Sequence, residues 1–133
     1  MAGKNAGRRR TPRSLRVTEA FRDFVLDQLN DLGDVTPRWM FGGVGLYCRG
    51  VFFGILARDV LYLKVDDATR SDYEGEPFRP YPGKAGTMQY YPVPVAVLES
   101  SFELVEWARK AVAVAERAAT VKRRPGRSTV TRT

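Results

Sequence analysis

Apolar residues alternate with a period of two through the middle of the chain, and two short turn pairs interrupt them. Three β-strands are therefore predicted, at residues 45–48, 51–57 and 60–65. The turn pairs between them are Arg49-Gly50 and Arg58-Asp59. Two-residue connections between apolar, β-branched runs are typical of antiparallel hairpins, in which a glycine readily adopts the positive φ that the turn requires. The pattern predicts a β-meander at the centre of the chain.

Helical periodicity precedes the meander. Its apolar positions recur at spacings of three and four residues, at Phe21, Phe24, Val25, Leu29 and Leu32. Thr18 stands ahead of this run as an N-cap, and Gly33 follows it in the position where helices commonly end. We expect Pro37 to prevent the helix from resuming before the first strand.

A second, longer helix is predicted after the meander. It begins with the Ser-x-x-Glu spacing of Ser100 and Glu103, in which each side chain can satisfy the backbone amide of the other residue. Its apolar stripe is broad, which indicates packing on two sides. We expect the helix to end near Ala119, because Pro125 and Gly126 interrupt regular structure.

Between the meander and this helix the pattern is less regular. It predicts a helical turn at residues 66–73, a loop rich in proline and glycine at 74–86, a fourth strand at 87–91 and a brief helical turn at 95–98. The fold class is therefore α+β. An antiparallel β-meander sheet of about four to five strands is packed by an N-terminal helix and a long C-terminal helix.

Composition limits the class of protein. At 133 residues with 44% apolar residues, the chain is expected to form one globular domain. No apolar run approaches the length of a membrane span, and the N-terminus lacks the pattern of a secretory signal. Cys48 is the single cysteine, so no internal disulfide can form. We expect a cytoplasmic protein with no membrane association.

Charge is separated along the chain. Residues 1–16 hold six basic residues and no acidic one, and residues 117–133 again hold six and none. The segment between them holds ten basic and fifteen acidic residues. We expect disordered basic tails at 1–16 and 120–133 around a domain at 17–119. Candidate DNA contacts are Arg8, Arg9, Arg10, Arg13, Arg16, Lys122, Arg123, Arg124 and Arg127, with simple solubilising extensions as the alternative.

No residue set indicates a catalytic site. The chain has no histidine, which excludes the common nucleophile arrangements and His-rich metal sites. We expect no catalytic residue, metal or cofactor, although a cleft gathering two or more of Lys64, Cys48, Asp66, Asp67 and Glu74 would favour an enzyme. Glycines in the segment from Phe41 to Gly45 could cradle an anion, but a bulge or tight bend is favoured. Strand aromatics are interpreted as core packing in preference to a surface that stacks bases.

Six sequence blocks stand out along the chain: RWMFGGVGLY at 38–47, Phe53-Gly54, LYLK at 61–64, Pro77-Phe78, MQYYPVP at 88–94 and Trp107-Ala108. In this order they resemble the N-terminal domain of the TfoX/Sxy family, regulators of natural competence in bacteria. Within them the motif residues, interpreted as structural, are Arg38, Met40, Phe41, Gly42, Gly43, Gly45, Tyr47, Gly54, Tyr90, Tyr91, Pro94 and Trp107.

The resemblance implies a non-enzymatic regulatory role on an α+β domain. Full-length members are similar here, carry a further C-terminal helical domain and act as coactivators with the cAMP receptor protein at competence promoters. We expect a stand-alone N-terminal domain that regulates transcription through protein contacts, with basic tails that add nonspecific DNA affinity. The transcription machinery, including a cAMP receptor protein-like factor, is the expected partner, and exposed sheet aromatics would favour a homodimer. The alternative is an interaction or small-ligand module with a groove beside the glycines and the loop at 74–86.

Overall fold

Five antiparallel strands form one sheet whose spatial order is the order of the chain. A computed structural model describes residues 15–40, 42–79 and 89–131, with backbone alone from 121 onward. The strands are β1 (Val35–Met40), β2 (Gly43–Cys48), β3 (Val51–Ala57), β4 (Val60–Lys64) and β5 (Tyr90–Pro92). The helices are α1 (Glu19–Gln28), α2 (Val95–Leu98) and α3 (Ser101–Thr131), with 3-10 turns at Asn30–Leu32 and Arg70–Asp72. The predicted α+β class is confirmed.

Both predicted hairpin turns are present and have the same geometry. Arg49 and Gly50 have φ of 50° and 81°, and Arg58 and Asp59 have φ of 50° and 58°. Positive φ at both central residues matches the right-handed twist of the flanking strands. The second turn contains no glycine, and Asp59 is fixed there by Thr18, whose backbone N and Oγ1 donate to its carboxylate at 2.8 and 3.1 Å. This turn therefore anchors the N-terminal end of α1.

Strand β1 was not among the predicted strands, because Pro37 lies at its centre. The backbone N of Arg49 donates to the carbonyl of Asp34 at 3.2 Å, and the register pairs Val35 with Cys48 and Thr36 with Tyr47. Since hydrogen-bonded pairs alternate in an antiparallel ladder, Thr36 bonds to β2 and Pro37 faces the open edge. Proline has no N–H, and at an edge position it costs the sheet no hydrogen bond.

A β-bulge lies in the central strand β3. Leu46 pairs with Gly54 and Tyr47 with Phe52, so Phe53 is the extra residue. Phe53 is fully buried in the main core, while Phe52 lies on the opposite face of the sheet. The absence of a side chain at Gly54 matters here, because a Cβ would lie 3.2 Å from the carbonyl oxygen of Tyr62.

The helices cover one face of the sheet. Thr18 caps α1 as predicted by accepting from the N of Phe21 at 3.1 Å, and Ser100 Oγ likewise accepts from the N of Glu103 at 3.2 Å. The main core combines residues of α1 and α3 with the inner face of the strands, including Val25, Leu29, Leu46, Phe53, Leu61, Leu63, Leu104, Ala108 and Ala111. A smaller cluster on the outer face holds Leu15, Ile55, Ala57, Phe78 and Tyr90.

Three predicted boundaries differ from the structure. Leu15, placed in the N-terminal tail, is buried with 7% of its surface exposed. The fourth strand, predicted at 87–91, corresponds to β5 at Tyr90–Pro92, and residues 87 and 88 lie outside the described residues. The last helix does not end near Ala119 but continues to Thr131, so the predicted tail at 120–133 begins inside it. Residues 118–124 are mostly alanine, arginine and lysine, whose high helix propensities favour continuation of the helix from Ala119 to Pro125.

Candidate functional site

The glycines of the β1–β2 hairpin leave room for protein atoms. A Cβ on Gly43 would lie 2.7 Å from the carbonyl oxygen of Leu56 and 3.3 Å from the Cβ of Leu15. A Cβ on Gly45 would meet the methyl group of Met40 at 2.9 Å and the ring of Phe52 at 3.0 Å. Protein atoms already fill these spaces, so close packing within the sheet accounts for both glycines. Gly42 has a φ of 87° in the turn, and Phe41 lies outside the described residues.

Several motif residues meet in one row on the outer face of the sheet. The Arg38 guanidinium lies 5.3 Å from the centre of the Tyr47 ring, and the Lys64 Nζ lies 4.9 Å from that of Tyr90. Between these ends, Phe52 is 5.0 Å from Tyr47 and 5.4 Å from Tyr90. Tyr90 is only 3% exposed, and burial raises the pKa of its hydroxyl. The rings in this row pack against one another and leave little ring surface on which a nucleic acid base could stack.

The remaining motif residues support α2 and α3 from the other side. Tyr73 lies between Tyr91 and Trp107, with ring centroids 6.2 and 4.9 Å away. Burial raises the pKa of the Tyr73 hydroxyl. Pro94 directly precedes α2, and its carbonyl accepts from the backbone N of Val97 and of Leu98. These contacts fix the short segment that joins β5 to α3.

A groove of about 550 Å³ brings together three of the five residues that would favour an enzyme. Lys64, Asp66 and Asp67 line it with Arg117 of α3, whereas Cys48 is buried in the main core. The Asp66 carboxylate accepts from Ala68 N, Thr69 N and Arg117 Nη2 at 2.9 to 3.0 Å. The hydrogen bond from Arg117, followed by those from Thr69, lowers the pKa of Asp66 to about 2. A carboxylate held ionised in this way connects the loop to α3 and is a poor general acid or base near neutral pH.

A second groove, of about 210 Å³, lies between α1 and the edge strand β1. Leu26, Pro37 and Val44 form its apolar lining, and the Trp39 side chain borders it. Trp39 is 62% exposed, and the Arg22 guanidinium lies 5.7 Å from its ring centre. Arg22 also pairs with Asp23 at 3.2 Å. The residue pattern alone does not indicate this groove, because the groove depends on β1, a strand that the pattern does not predict.

The candidate DNA contacts are placed differently at the two ends. Arg8, Arg9, Arg10 and Arg13 lie outside the described residues, and Arg16 is described and exposed. The C-terminal candidates all lie on the backbone of α3, at Lys122, Arg123, Arg124 and Arg127. The structure therefore places all four C-terminal candidates on one element.

Among the described residues, no group of three or more acidic or cysteine side chains could hold a metal ion. No helix in the same part of the chain is long and apolar enough to cross a membrane.

Comparison with known proteins identifies the family. Residues 27–115 match the sequence model of the TfoX N-terminal domain, from the last two residues of α1 through the packed part of α3. No curated protein matches the chain. The match covers more than half of the chain and includes all five strands, so this chain belongs to the TfoX N-terminal domain family.

Proposed function

We propose that this protein is a non-enzymatic, cytoplasmic regulator that assists transcription through contacts of its folded region with another protein. The basic segments at its two ends, residues 1–16 and 117–133, add sequence-independent affinity for DNA. A cAMP receptor protein-like factor is the partner class that membership of the family favours. Competence genes are the corresponding class of target.

One observation carries the DNA part of this proposal, which is the separation of charge. Twelve of the 22 basic residues lie in the two end segments, and all 15 acidic residues lie between them. Phosphate contacts by lysine and arginine release counterions and supply most nonspecific affinity for DNA. The folded region, with an excess of carboxylates, would by itself be repelled by DNA.

Fluorescence anisotropy of labelled duplex DNA tests this part across a salt series. One full-length variant replaces Lys122, Arg123, Arg124 and Arg127 with Gln, and another replaces Arg8, Arg9, Arg10 and Arg13. A control removes the same charge from the folded region, at Arg49, Arg70, Arg109 and Lys110. For the first two variants, we expect the slope of the logarithm of the binding constant against the logarithm of the salt concentration to become less steep by about 0.9 for each phosphate contact removed. The slope should stay unchanged in the control. Equal affinity of the intact protein and both end variants would contradict the DNA role.

The protein-contact part has its own test. A gel shift on promoter DNA that carries a cAMP receptor protein would show a slower complex when this protein is added. We expect the slower complex to persist when the end segments are neutralised, because the folded region makes the protein contact. No additional complex at any concentration would contradict the regulatory proposal while leaving the DNA result intact.

A further inference from the structure

Exposed apolar side chains are gathered where α1 meets α2 and the start of α3. Among the described residues, the large hydrophobic side chains that are exposed are Phe24, Trp39, Val95 and Phe102. All of them except Trp39 lie on the three helices. Single apolar side chains scattered over a surface are ordinary, but a group of them rimmed by polar residues commonly marks a binding site.

One hydrogen bond joins the segments that carry the three helical side chains. Gln28 Nε2 of α1 donates to the backbone carbonyl of Leu98, the last residue of α2, at 2.9 Å. Phe24 lies one helical turn before Gln28, on the same side of α1. Val95 lies three residues before Leu98, and Phe102 lies four residues after it. We call Phe24, Val95 and Phe102 the apolar patch.

The residues around the apolar patch are acidic. The two segments that carry it, residues 21–31 and 95–103, contain five acidic residues, and all of them are exposed: Asp23, Asp27, Asp31, Glu99 and Glu103. These segments contain a single basic residue, Arg22, which is already paired with Asp23 at 3.2 Å. An acidic rim of this kind repels nucleic acid and anionic lipid and attracts a cationic ligand.

This chain does not itself supply a fitting occupant. Its basic end segments, residues 1–14 and 117–133, hold no leucine, isoleucine or aromatic residue, so they could screen the acidic rim but not cover the apolar patch. A second copy of the patch would bring the same five carboxylates, and like charges placed opposite each other weaken an interface. The chemistry that fits both features is a segment of another protein that is apolar on one side and basic around it.

We propose that the apolar patch is the docking surface for a basic amphipathic helix of a partner protein. The helix lays its apolar face on Phe24, Val95 and Phe102, and its lysines and arginines lie beside the acidic rim. Amphipathic helices are commonly recognised in this way, through apolar residues spaced three and four positions apart. The inference rests on the proposed function in one respect, because it names the surface through which the folded region makes its protein contact.

A synthetic helix tests the proposal on the full-length protein. The probe is a fluorescein-labelled peptide of about 16 residues, built from leucine and lysine with the leucines on one face. A second peptide has the same composition, but its leucines are distributed over all sides of the helix. Fluorescence anisotropy at about 50 mM NaCl measures the binding of both. We expect the first peptide to bind at least about tenfold more tightly than the second.

Substitutions in the apolar patch test the place of binding. Phe24→Ser combined with Phe102→Ser should weaken binding of the first peptide about tenfold or more, because both rings are removed from the contact. Phe102→Ser alone, at a side chain that is 75% exposed, should weaken it about threefold or more and keeps the test valid if the double variant does not fold. Trp39→Ser is the matched control, because Trp39 is an exposed aromatic outside the patch, and it should leave the affinity unchanged.

The acidic rim is tested with substitutions that remove charge alone. Glu99→Gln combined with Glu103→Gln should weaken binding about three- to fivefold, and added salt should reduce the difference from the intact protein. The control, Glu74→Gln combined with Glu76→Gln, removes the same charge from exposed residues of the loop after Arg70–Asp72. Its effect on the affinity should be less than about twofold.

Several results would overturn the proposal. Equal affinity for the two peptides, or equal affinity of the intact protein and the Phe24→Ser, Phe102→Ser variant, would show that the patch does not recognise an apolar helix face. Peptide binding that occurs only after the arginines and lysines of the end segments are replaced with Gln would make those segments the occupant. Self-association that is lost in the phenylalanine variant would make a second copy the occupant. The peptide experiment contains neither DNA nor a transcription factor, so its failure is distinct from that of the proposed function, which the gel shift reports.

Discussion

At the scale of single residues, the motif glycines differ in how easily the atoms that surround them can move. A Cβ on Gly43 would meet the backbone oxygen of Leu56 at 2.7 Å, whereas a Cβ on Gly45 would meet the flexible end of Met40 at 2.9 Å. A backbone atom in a central strand cannot move away without distorting the sheet, while the Met40 side chain can change rotamer. We expect Gly43→Ala to lower the free energy of unfolding by about 2–3 kcal/mol and Gly45→Ala by about 1 kcal/mol or less. Urea unfolding measures both, and a larger loss for Gly45→Ala would contradict this order.

Asp66 gives the protein a specific response to acid. Because its pKa is lowered from 3.8 to about 2, its contribution to stability is complete above pH 3.8 and is lost as the pH falls through 2. Removal of the largest cause, in Arg117→Gln, should move the pKa of Asp66 upward and shift this loss to higher pH. An NMR titration of the Asp66 carboxyl carbon measures the shift. Lys110→Gln is the control, because Lys110 pairs with Asp72 at 4.0 Å; a similar change in both variants would contradict the role of Arg117.

At the scale of the elements, β1 is protected from pairing with another chain by the position of its proline. The open edge lacks one N–H at Pro37, and the alternating ladder directs that position away from β2. Pro37→Val restores the backbone donor. If two chains pair symmetrically through their β1 edges, the substitution adds two hydrogen bonds of about 1 kcal/mol each. We expect self-association to tighten about tenfold or more, measured by sedimentation equilibrium. Thr36→Val is a matched β-branched control that adds no donor, and equal association of the two variants would contradict this mechanism.

Sequence periodicity could predict those elements whose signals are local. The cap at Thr18, the cap at Ser100 and the two hairpin turns each depend on residues within a few positions, and all are present. Strand β1 could not be predicted in this way, because the cost of a proline depends on whether its nitrogen faces a neighbouring strand. The groove at Trp39 depends in turn on β1 lying beside α1, which is a tertiary property.

At the scale of the whole molecule, an acidic folded region is flanked by two basic segments, and these should attract each other. The attraction is strongest in the folded state, where the carboxylates of α1 lie together, and salt screens it. We expect the melting temperature of the intact chain to fall by about 1–2 °C between 20 and 300 mM NaCl. This fall corresponds to a loss of about a few tenths of a kcal/mol in the free energy of unfolding.

The change of melting temperature with salt should have the opposite sign once this attraction is removed. Replacing Arg8, Arg9, Arg10, Arg13, Lys122, Arg123, Arg124 and Arg127 with Gln leaves the acidic folded region to repel itself, and salt screens this repulsion instead. The melting temperature of this variant should therefore stay constant or rise over the same salt range, as followed by circular dichroism at 222 nm. The control with Arg49, Arg70, Arg109 and Lys110 replaced keeps both basic segments and should retain the fall. An equal fall in all three proteins would mean that the end segments do not interact with the folded region, and α1 would then have no electrostatic role toward them.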